Sequence, residues 1–382
     1  MLRFLTAGES HGKGLIAILE GMVANLPLLP EDINSELKRR QRGYGRGERM
    51  KIEADEVEII SGVRGGKTTG SPIGMLIRNK DWENWKEVMK IEGECKGGER
   101  YIPRPGHADF PGYLKYNLSD IRDVMERASA RNTASQVAVG AICKKFLNEF
   151  GIKIYSRVIQ IGEIKDTSDY REVFKNYGKI ESSDVRALYK EKEMKRVIDR
   201  AKESGDTVGG IFEIIITGLC PGLGSYIQWD KRLDGKLSFV LMSIPGVKGV
   251  EVGAGFSAKS FYGSEFHDEF FVENGKVKRR SNNAGGIEGG ITNGNDIWIK
   301  CMMKPISTLK KGLNSFDVRD KREVKSEYER SDVCAVVPAS IIGENVSAFI
   351  IADAFLEKFG GDSLEETKRN YREYLRNIEK YF

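Results

Sequence analysis

Histidine is scarce in this chain: 382 residues hold three, His11, His107 and His267. Cysteine is hardly commoner. Cys95, Cys143, Cys220, Cys301 and Cys334 are odd in number, widely scattered, and form no C-x-x-C. A disulfide framework and a thiolate zinc site are thereby excluded. No His-x-x-x-His occurs, so no metal site is expected. No G-x-G-x-x-G stands between a strand and a helix, and no Walker A loop is present. No apolar run approaches the roughly 18 to 20 residues of a membrane span. The N-terminal MLRFLTAGESHG lacks a basic segment followed by an apolar stretch of signal-peptide length, so a cytoplasmic protein is expected. Net charge is +5, small beside what a nucleic-acid binder carries. What is present, 40% hydrophobic and 31% charged residues, suits a soluble globular fold.

Along the chain, Leu2 to Ala7 reads as a strand, Gly8 to Gly14 as a polar glycine-rich turn, and Leu15 to Val23 returns to apolar character. Pro30 to Arg42 reads as a helix, with proline and acids at its start and Lys38, Arg39 and Arg40 at its end, in keeping with the helix dipole. Strands are expected over 57–63 and 73–78, a loop-rich stretch over 80–118, and a tightly packed helix from Ala128 to Phe150. Gly66 to Gly70 and Gly205 to Gly209 share the pattern G-x-T-x-G, each followed by an apolar strand and preceded by a charged helix, the second from Glu191 to Ser204. Their separation is too long for a solenoid. It suggests a duplicated half-unit, about 1–150 and 151–345 of a single domain, with a helical segment 346–382 after it. Two such units could pair their helices and leave a sheet on each outer face. Val346 to Phe359 has helical spacing, and Ser363 with Glu366 forms a capping box opening a last, peripheral helix.

His11 and His107 lie in glycine-flanked polar loops, Gly8 to Gly12 and Arg104 to Asp109. Such loops bring side chains and backbone N–H groups close to a ligand, and histidine is the residue best matched to proton transfer near neutral pH. His267 reads as an exposed residue with no role. Five arginines interleave with three glycines from Arg39 to Arg49. The guanidinium fork suits phosphate and carboxylate. With Tyr44 as its lone aromatic, the cluster is poorly supplied for stacking on nucleic acid. Further basic residues, Arg104, Arg127, Arg131, Lys304 and Arg330, stand in similar settings. Asn282 to Asn295 is glycine-rich and could place backbone donors around a phosphate or a planar ring. Together these features describe a large anion site with two histidines and at least one carboxylate.

GESHG at 8–12, RRQRGYGRG at 39–47, RPGHADF at 104–110, RASARNTA at 127–134, GGIEGGITNG at 285–294, KPIST at 304–308 and RSD at 330–332 resemble, in order, the signature segments of the chorismate synthase family. The resemblance spans nearly the whole chain. It implies an α+β fold, a layered β-α-β sandwich with a helical core between two antiparallel sheets, assembled as a homotetramer. It implies an anti-1,4-elimination of phosphate from 5-enolpyruvylshikimate 3-phosphate to give chorismate, dependent on reduced FMN. By motif, His11 would balance charge at the flavin pyrimidine edge, His107 would protonate or hydrogen-bond the leaving phosphate, and Asp332 would assist proton removal at flavin N5. Ser10, Arg40, Arg46, Arg49, Arg104 and Arg131 would hold the substrate. FMN contacts would come from Arg127, Ala128, Ser129, Pro245, Gly246, Gly289, Lys304, Pro305, Ile306, Ser307, Thr308 and Arg330. Arg40 and Arg46 also match positions linked with NADPH in the family; without a dinucleotide fingerprint, an external reductant is the expectation. At Pro245-Gly246 the family usually carries Asn-Ala or Gln-Ala, so altered flavin binding is expected there. Two rival readings remain: another flavin or phosphate enzyme on the same scaffold, and an RNA-binding module built on the 39–49 cluster.

Overall fold

The fold follows from strands that are apolar on alternate residues. In the computed structural model, which describes residues 2–47, 54–329 and 331–381, a first antiparallel sheet contains β1 (Arg3–Ala7), β2 (Gly14–Glu20), β3 (Val57–Ile59) and β4 (Ile73–Arg78) in the order β1-β2-β4-β3. Leu15, Ala17 and Leu19 of β2 and Ile73, Met75 and Ile77 of β4 are buried, while Ile16 and Ile18 face outward, as the two-residue period of a strand requires. A second antiparallel sheet contains β5 (Lys153–Ile161), β6 (Ile164–Lys165), β7 (Gly210–Thr217), β8 (Val247–Val252) and β9 (Ile297–Met303), in the order β8-β9-β7-β5-β6.

The helices are α1 (Pro30–Gln41), α2 (Arg122–Arg127), α3 (Thr133–Asn148), α4 (Glu172–Ser182), α5 (Glu191–Glu203), α6 (Leu233–Met242), α7 (Val336–Phe359) and α8 (Leu364–Ile378), besides an eight-residue helix Asp109–Tyr116 and shorter turns. Helices α1 and α3 pack on the first sheet, α6 and α7 on the second, and α3 crosses α7 in the most extensive helix contact. The crossing depends on Gly140: a Cβ there would lie 2.3 Å from the Asn345 carbonyl oxygen. Such close backbone approach is what glycine permits.

The same crossing carries a buried ion network. Glu344 of α7, fully buried, accepts from Arg39 of α1 (2.7 Å), Lys144 of α3 (2.8 Å), Ser156 of β5 (2.6 Å) and Arg186 (3.2 Å). Burial would raise the Glu344 carboxyl, but Arg39, Lys144 and Arg186 hold it well below the usual range. Arg39 is thus committed to the core, and of the sequence's arginine run Arg40 and Arg46 turn to the site described below.

Several expectations need correction. The helix expected from Ala128 to Phe150 breaks over residues 128–132, where α2 ends, Ser129 caps a 3₁₀ turn by accepting from the Arg131 N–H (3.3 Å), and α3 starts at Thr133. The helix expected from Val346 begins at Val336; Pro338 sits in its first turn, where a missing N–H costs nothing. That helix is long and apolar enough to cross a membrane by composition, contrary to the reading that no stretch approaches such length, and 94% of its most apolar window is buried in the core. The G-x-T-x-G likeness pairs β4 with β7. In the sheets β4 lies between β2 and β3 while β7 lies between β9 and β5, and α5 packs on β5 and β6 instead of between the sheets. The capping of α8 differs in detail. Ser363 accepts from the Glu366 N–H (3.4 Å), but the Glu366 carboxylate reaches back one residue beyond the cap, to the Asp362 N–H (3.0 Å).

Candidate active site

Loops at one end of the first sheet converge on the α2–α3 junction. The β1–β2 loop turns tightly at Gly8, which has φ of +107° and whose missing Cβ would strike the Gly14 carbonyl oxygen at 2.3 Å. The loop thereby presents Ser10 and His11 to α2. The Glu126 carboxylate, almost wholly buried, accepts from the His11 backbone N–H (2.8 Å) and lies 2.9 and 3.0 Å from His11 Nδ1. Arg122 donates to the same carboxylate (3.2 Å), and the Trp85 ring stacks on the imidazole with centroids 3.8 Å apart. Burial would raise the Glu126 carboxyl; hydrogen bonds and charge from His11, then Arg122, hold it below its ordinary value. Ser129 donates to the buried Ser10 hydroxyl (3.1 Å). Arg127 donates to the carbonyls of Gly8 (3.1 Å) and Thr6 (3.0 Å).

His107 is held in a parallel way. Its Nδ1 lies 2.6 Å from Oδ1 of the buried Asp109, whose other oxygen accepts from Arg104 Nε (2.8 Å). Burial would raise the Asp109 carboxyl, but His107 and Arg104 hold it far below the ordinary carboxylate range. Arg104 Nη2 stands 3.1 Å from His107 Nδ1, and Nη1 donates to Thr308 Oγ1 (3.1 Å). Lys304 donates to the Gly106 carbonyl (2.9 Å). The KPIST segment and the RPGHAD loop, far apart in sequence, therefore form one wall.

A third group lies between α1 and the 3₁₀ turn. Arg40, 4% exposed, donates through Nε to Thr133 (3.0 Å) and through Nη2 to the Ala130 carbonyl (2.9 Å). Buried Asp55 pairs with Arg131 (2.5 Å) and approaches Arg40 Nη1 (3.5 Å). Burial, opposed by Asp55 and aided by Arg46 and Arg131, brings the Arg40 guanidinium down to about 10, still cationic at neutral pH. Asn79 links this group to the first: it accepts from Arg131 (2.9 Å) and donates to the Gly12 carbonyl (2.5 Å). Asp332 pairs with Arg46 (3.0 Å) and accepts from the Gly47 N–H (2.7 Å), and the adjacent Ser331 donates to the Thr308 carbonyl (3.3 Å), tying this group to the His107 wall.

The sequence-derived residues thus fall into place unequally. Ser10, His11, Arg40, Arg46, Arg104, His107, Arg127, Ala128, Ser129, Arg131, Lys304 to Thr308 and Asp332 lie in or beside these three groups. Pro245 and Gly246 join them through Gly246, whose carbonyl accepts from the Lys304 N–H (2.9 Å). With the Val247 N–H donating to the Ile244 carbonyl (3.0 Å), Pro245 second and Gly246 third at φ +87°, this is a type II turn. Gly289 is not brought in: it sits in the 287–292 hairpin against Tyr226. Arg49 and Arg330 lie outside the described residues. His267 is exposed, as expected. Sequence reasoning passed over Glu126, Asp109, Asp55, Asn79 and Trp85. Asp109 and Glu126 could have been found, since each lies within or next to a signature segment; Asp55, Asn79 and Trp85 carry no local signal.

Arginines gathered around buried carboxylates, with two histidines fixed at Nδ1, define an enzyme that binds a multiply anionic small molecule and moves protons on it. Comparison with known proteins gives the particular family. Residues 2–356 match the chorismate synthase family model. The chain is 54% identical to chorismate synthase of Aquifex aeolicus, over 100% of this chain and 99% of that one. It is 50% identical to that of Carboxydothermus hydrogenoformans, over the whole of both. A crystal structure of chorismate synthase superposes with a TM-score of 0.80 at 45% identity, covering 100% of this chain and 99% of the other. The chain belongs to the chorismate synthase family, enzymes that convert 5-enolpyruvylshikimate 3-phosphate to chorismate on the shikimate route to aromatic amino acids.

Proposed function

We propose that this site performs the family's reaction as an anti-1,4-elimination with reduced FMN bound beside the substrate. The C3–O bond breaks, phosphate leaves, and the C6 proton is removed. The chemistry reduced FMN supplies when bound is transient electron density for the breaking bond, without net redox change. The observation that supports the reading is the joined wall of Arg104, His107, Lys304 and Thr308, in which the KPIST segment lies against the RPGHAD loop.

The donor set fits a flavin phosphate. Lys304 and Arg127 hydrogen-bond to neutral carbonyls, so their charge is left for an anion. Burial and nearby Lys248 lower Lys304 from its ordinary value, as in a site awaiting negative charge. Lys304 to Thr308, Arg127 to Ser129, Pro245, Gly246 and Arg330 would hold FMN. Ser10, Arg40, Arg46, Arg49, Arg104 and Arg131 would hold the substrate's phosphate and carboxylates. His107 donates a proton or hydrogen bond to the departing phosphate, His11 offsets charge on the cofactor, and Asp332 assists removal of the C6 proton. Fixed charge aimed at the leaving group is the largest effect expected. Arg40 and Arg46 already serve the anion site, and an outside reductant, not NADPH held by this chain, supplies the reduced flavin.

The remaining readings concern assembly and ancestry. The outer face of the second sheet is covered by α4, through Val173 and Ile180 against Ile215. On the first sheet Leu5, Ile16 and Ile18 stay exposed and pair across strands, a face suited to a second copy of this chain within a homotetramer. The sheet orders β1-β2-β4-β3 and β5-β7-β9-β8, each followed by a long core helix, support descent of 1–150 and 151–345 from one half-unit. The unpaired cysteines, four of them buried, suit a reducing cytoplasm.

The test is anaerobic. Protein mixed with photoreduced FMN and 5-enolpyruvylshikimate 3-phosphate yields chorismate and phosphate in equal amounts. With NADPH and oxidised FMN instead, no product forms. Absence of product with both ligands bound would refute the elimination.

A further inference from the structure

Resting on the reading above, we propose that Glu126 is the positioning residue of His11, holding the ring proton on Nδ1 and fixing the ring so that its Nε2 edge is the one offered to the ligand. The geometry is specific. Both Glu126 oxygens lie within hydrogen-bond distance of Nδ1, and one also accepts from the His11 backbone N–H, so ring and main chain are gripped by one carboxylate. The Ser10 N–H donates to the Glu126 carbonyl (3.1 Å), which locks the loop to α2 a second time. Trp85 covers one face of the ring, with its Nε1 anchored on Asp81 (3.0 Å). The His11 side chain keeps 17% of its surface exposed, and Nε2 makes no hydrogen bond among the described residues, so this edge faces the open site.

The carboxylate is itself held in place. Glu126 is 2.9 Å from Nδ1. Arg122 meets the far side of that carboxylate and in turn approaches Glu329 (3.8 Å). Glu9 and Lys13 belong to His11's own loop, Lys13 over the Trp82 ring, and Arg127 binds the Gly8 carbonyl. His107 is held differently: Arg104 stands 3.1 Å from its Nδ1 beside Asp109, so its carboxylate partner is shared with a guanidinium next to the ring. Nothing in the local pattern around His11 showed this, because the carboxylate comes from a residue more than a hundred positions away.

The test uses the full chain with ring-labelled histidine and NMR, resonances being assigned with His107→Asn and His267→Asn. In the ligand-free wild type, the neutral form of the His11 ring carries its proton on Nδ1. In Glu126→Gln that preference is lost and the tautomer protonated at Nε2 becomes populated. With photoreduced FMN, kcat of the variant drops about 10- to 100-fold, the size typical of a partner that orients a functional histidine, while the substrate KM stays within about twofold. A neutral wild-type ring protonated at Nε2, or an unchanged tautomer in Glu126→Gln, overturns the proposal; the first needs no variant to fold. If the NMR results hold and the wild type makes no chorismate, the pairing stands and the elimination falls.

Discussion

Side chains of the site are fixed by partners from distant parts of the chain. Arg40 spends Nε and Nη2 on Thr133 and Ala130, and turns Nη1 towards Asp55. One ammonium cannot meet three fixed directions. Arg40→Lys is therefore expected to keep the fold and lower kcat/KM about tenfold or more in the anaerobic assay; a rate within twofold of wild type would remove Arg40 from the site. At the Pro245-Gly246 turn the argument is steric. A Cβ at Gly246 would lie 2.9 Å from Met303 Cε and sit at positive φ. Gly246→Ala is expected to weaken reduced-FMN affinity, because the strained turn hands its carbonyl to the Lys304 N–H; unchanged affinity by flavin titration would separate this turn from the cofactor. The departure from Asn-Ala is thus accommodated by turn chemistry, proline second and glycine third. At this scale the histidines and arginines were legible, because glycine-flanked loops advertise them. Their carboxylate partners were less so: Asp109 was passed over two residues from His107, and Glu126 and Asp55 reach their partners only through the tertiary fold.

Among elements, α3 and α7 set the architecture, and both depend on features that local propensity does not favour. Glycine inside α3 weakens an isolated helix, yet Gly140 lets α7 approach. Gly140→Ala is expected to lower stability by about 1 to 3 kcal/mol through overpacking, read as a lower urea midpoint. Removing the charge of Glu344 leaves Arg39, Lys144 and Arg186 short of a buried partner, at a cost of about 3 to 5 kcal/mol for Glu344→Gln. Glu344, Glu36 and Glu181 are all held below their ordinary values, Glu181 at about 2 by burial outweighed by Arg39 and Arg186. Depressed carboxyls add stability above their unfolded values, about 4.3, and lose it as pH falls through the folded ones. The urea midpoint should hold from pH 7 to about 5 and decline towards pH 2; a midpoint that rises on acidification would contradict the network. The strands of the first sheet and α1 were legible from period and dipole. The break at 128–132 was not, because Ala128, Ala130 and Arg131 favour helix and the Ser129 cap and the fit to Arg40 interrupt it.

For the whole molecule, chain order and charge were readable and assembly was only implied. The sequence placed seven signature segments along nearly the full length, and the fold explains their spacing: loops of the first sheet, the end of α1 and the segment after β9 converge from opposite halves. The internal likeness it suggested rests on a turn motif, which is too short to tell β7 from β9. The exposed Leu5, Ile16 and Ile18 face, bordered by the Arg3–Glu20 and Arg78–Glu58 pairs, leads to an assembly prediction. Ile18→Glu should shift the protein to a smaller species in analytical ultracentrifugation, and an unchanged mass would place the interface elsewhere.

The central claim is that one site holds substrate and reduced flavin together, with His107 acting on the leaving phosphate. Anaerobic single-turnover phosphate release from His107→Ala, measured beside reduced-FMN affinity, tests it most directly. The account predicts release slowed by about 10²- to 10⁴-fold with flavin affinity within a few-fold of wild type. Release at the wild-type rate would contradict it.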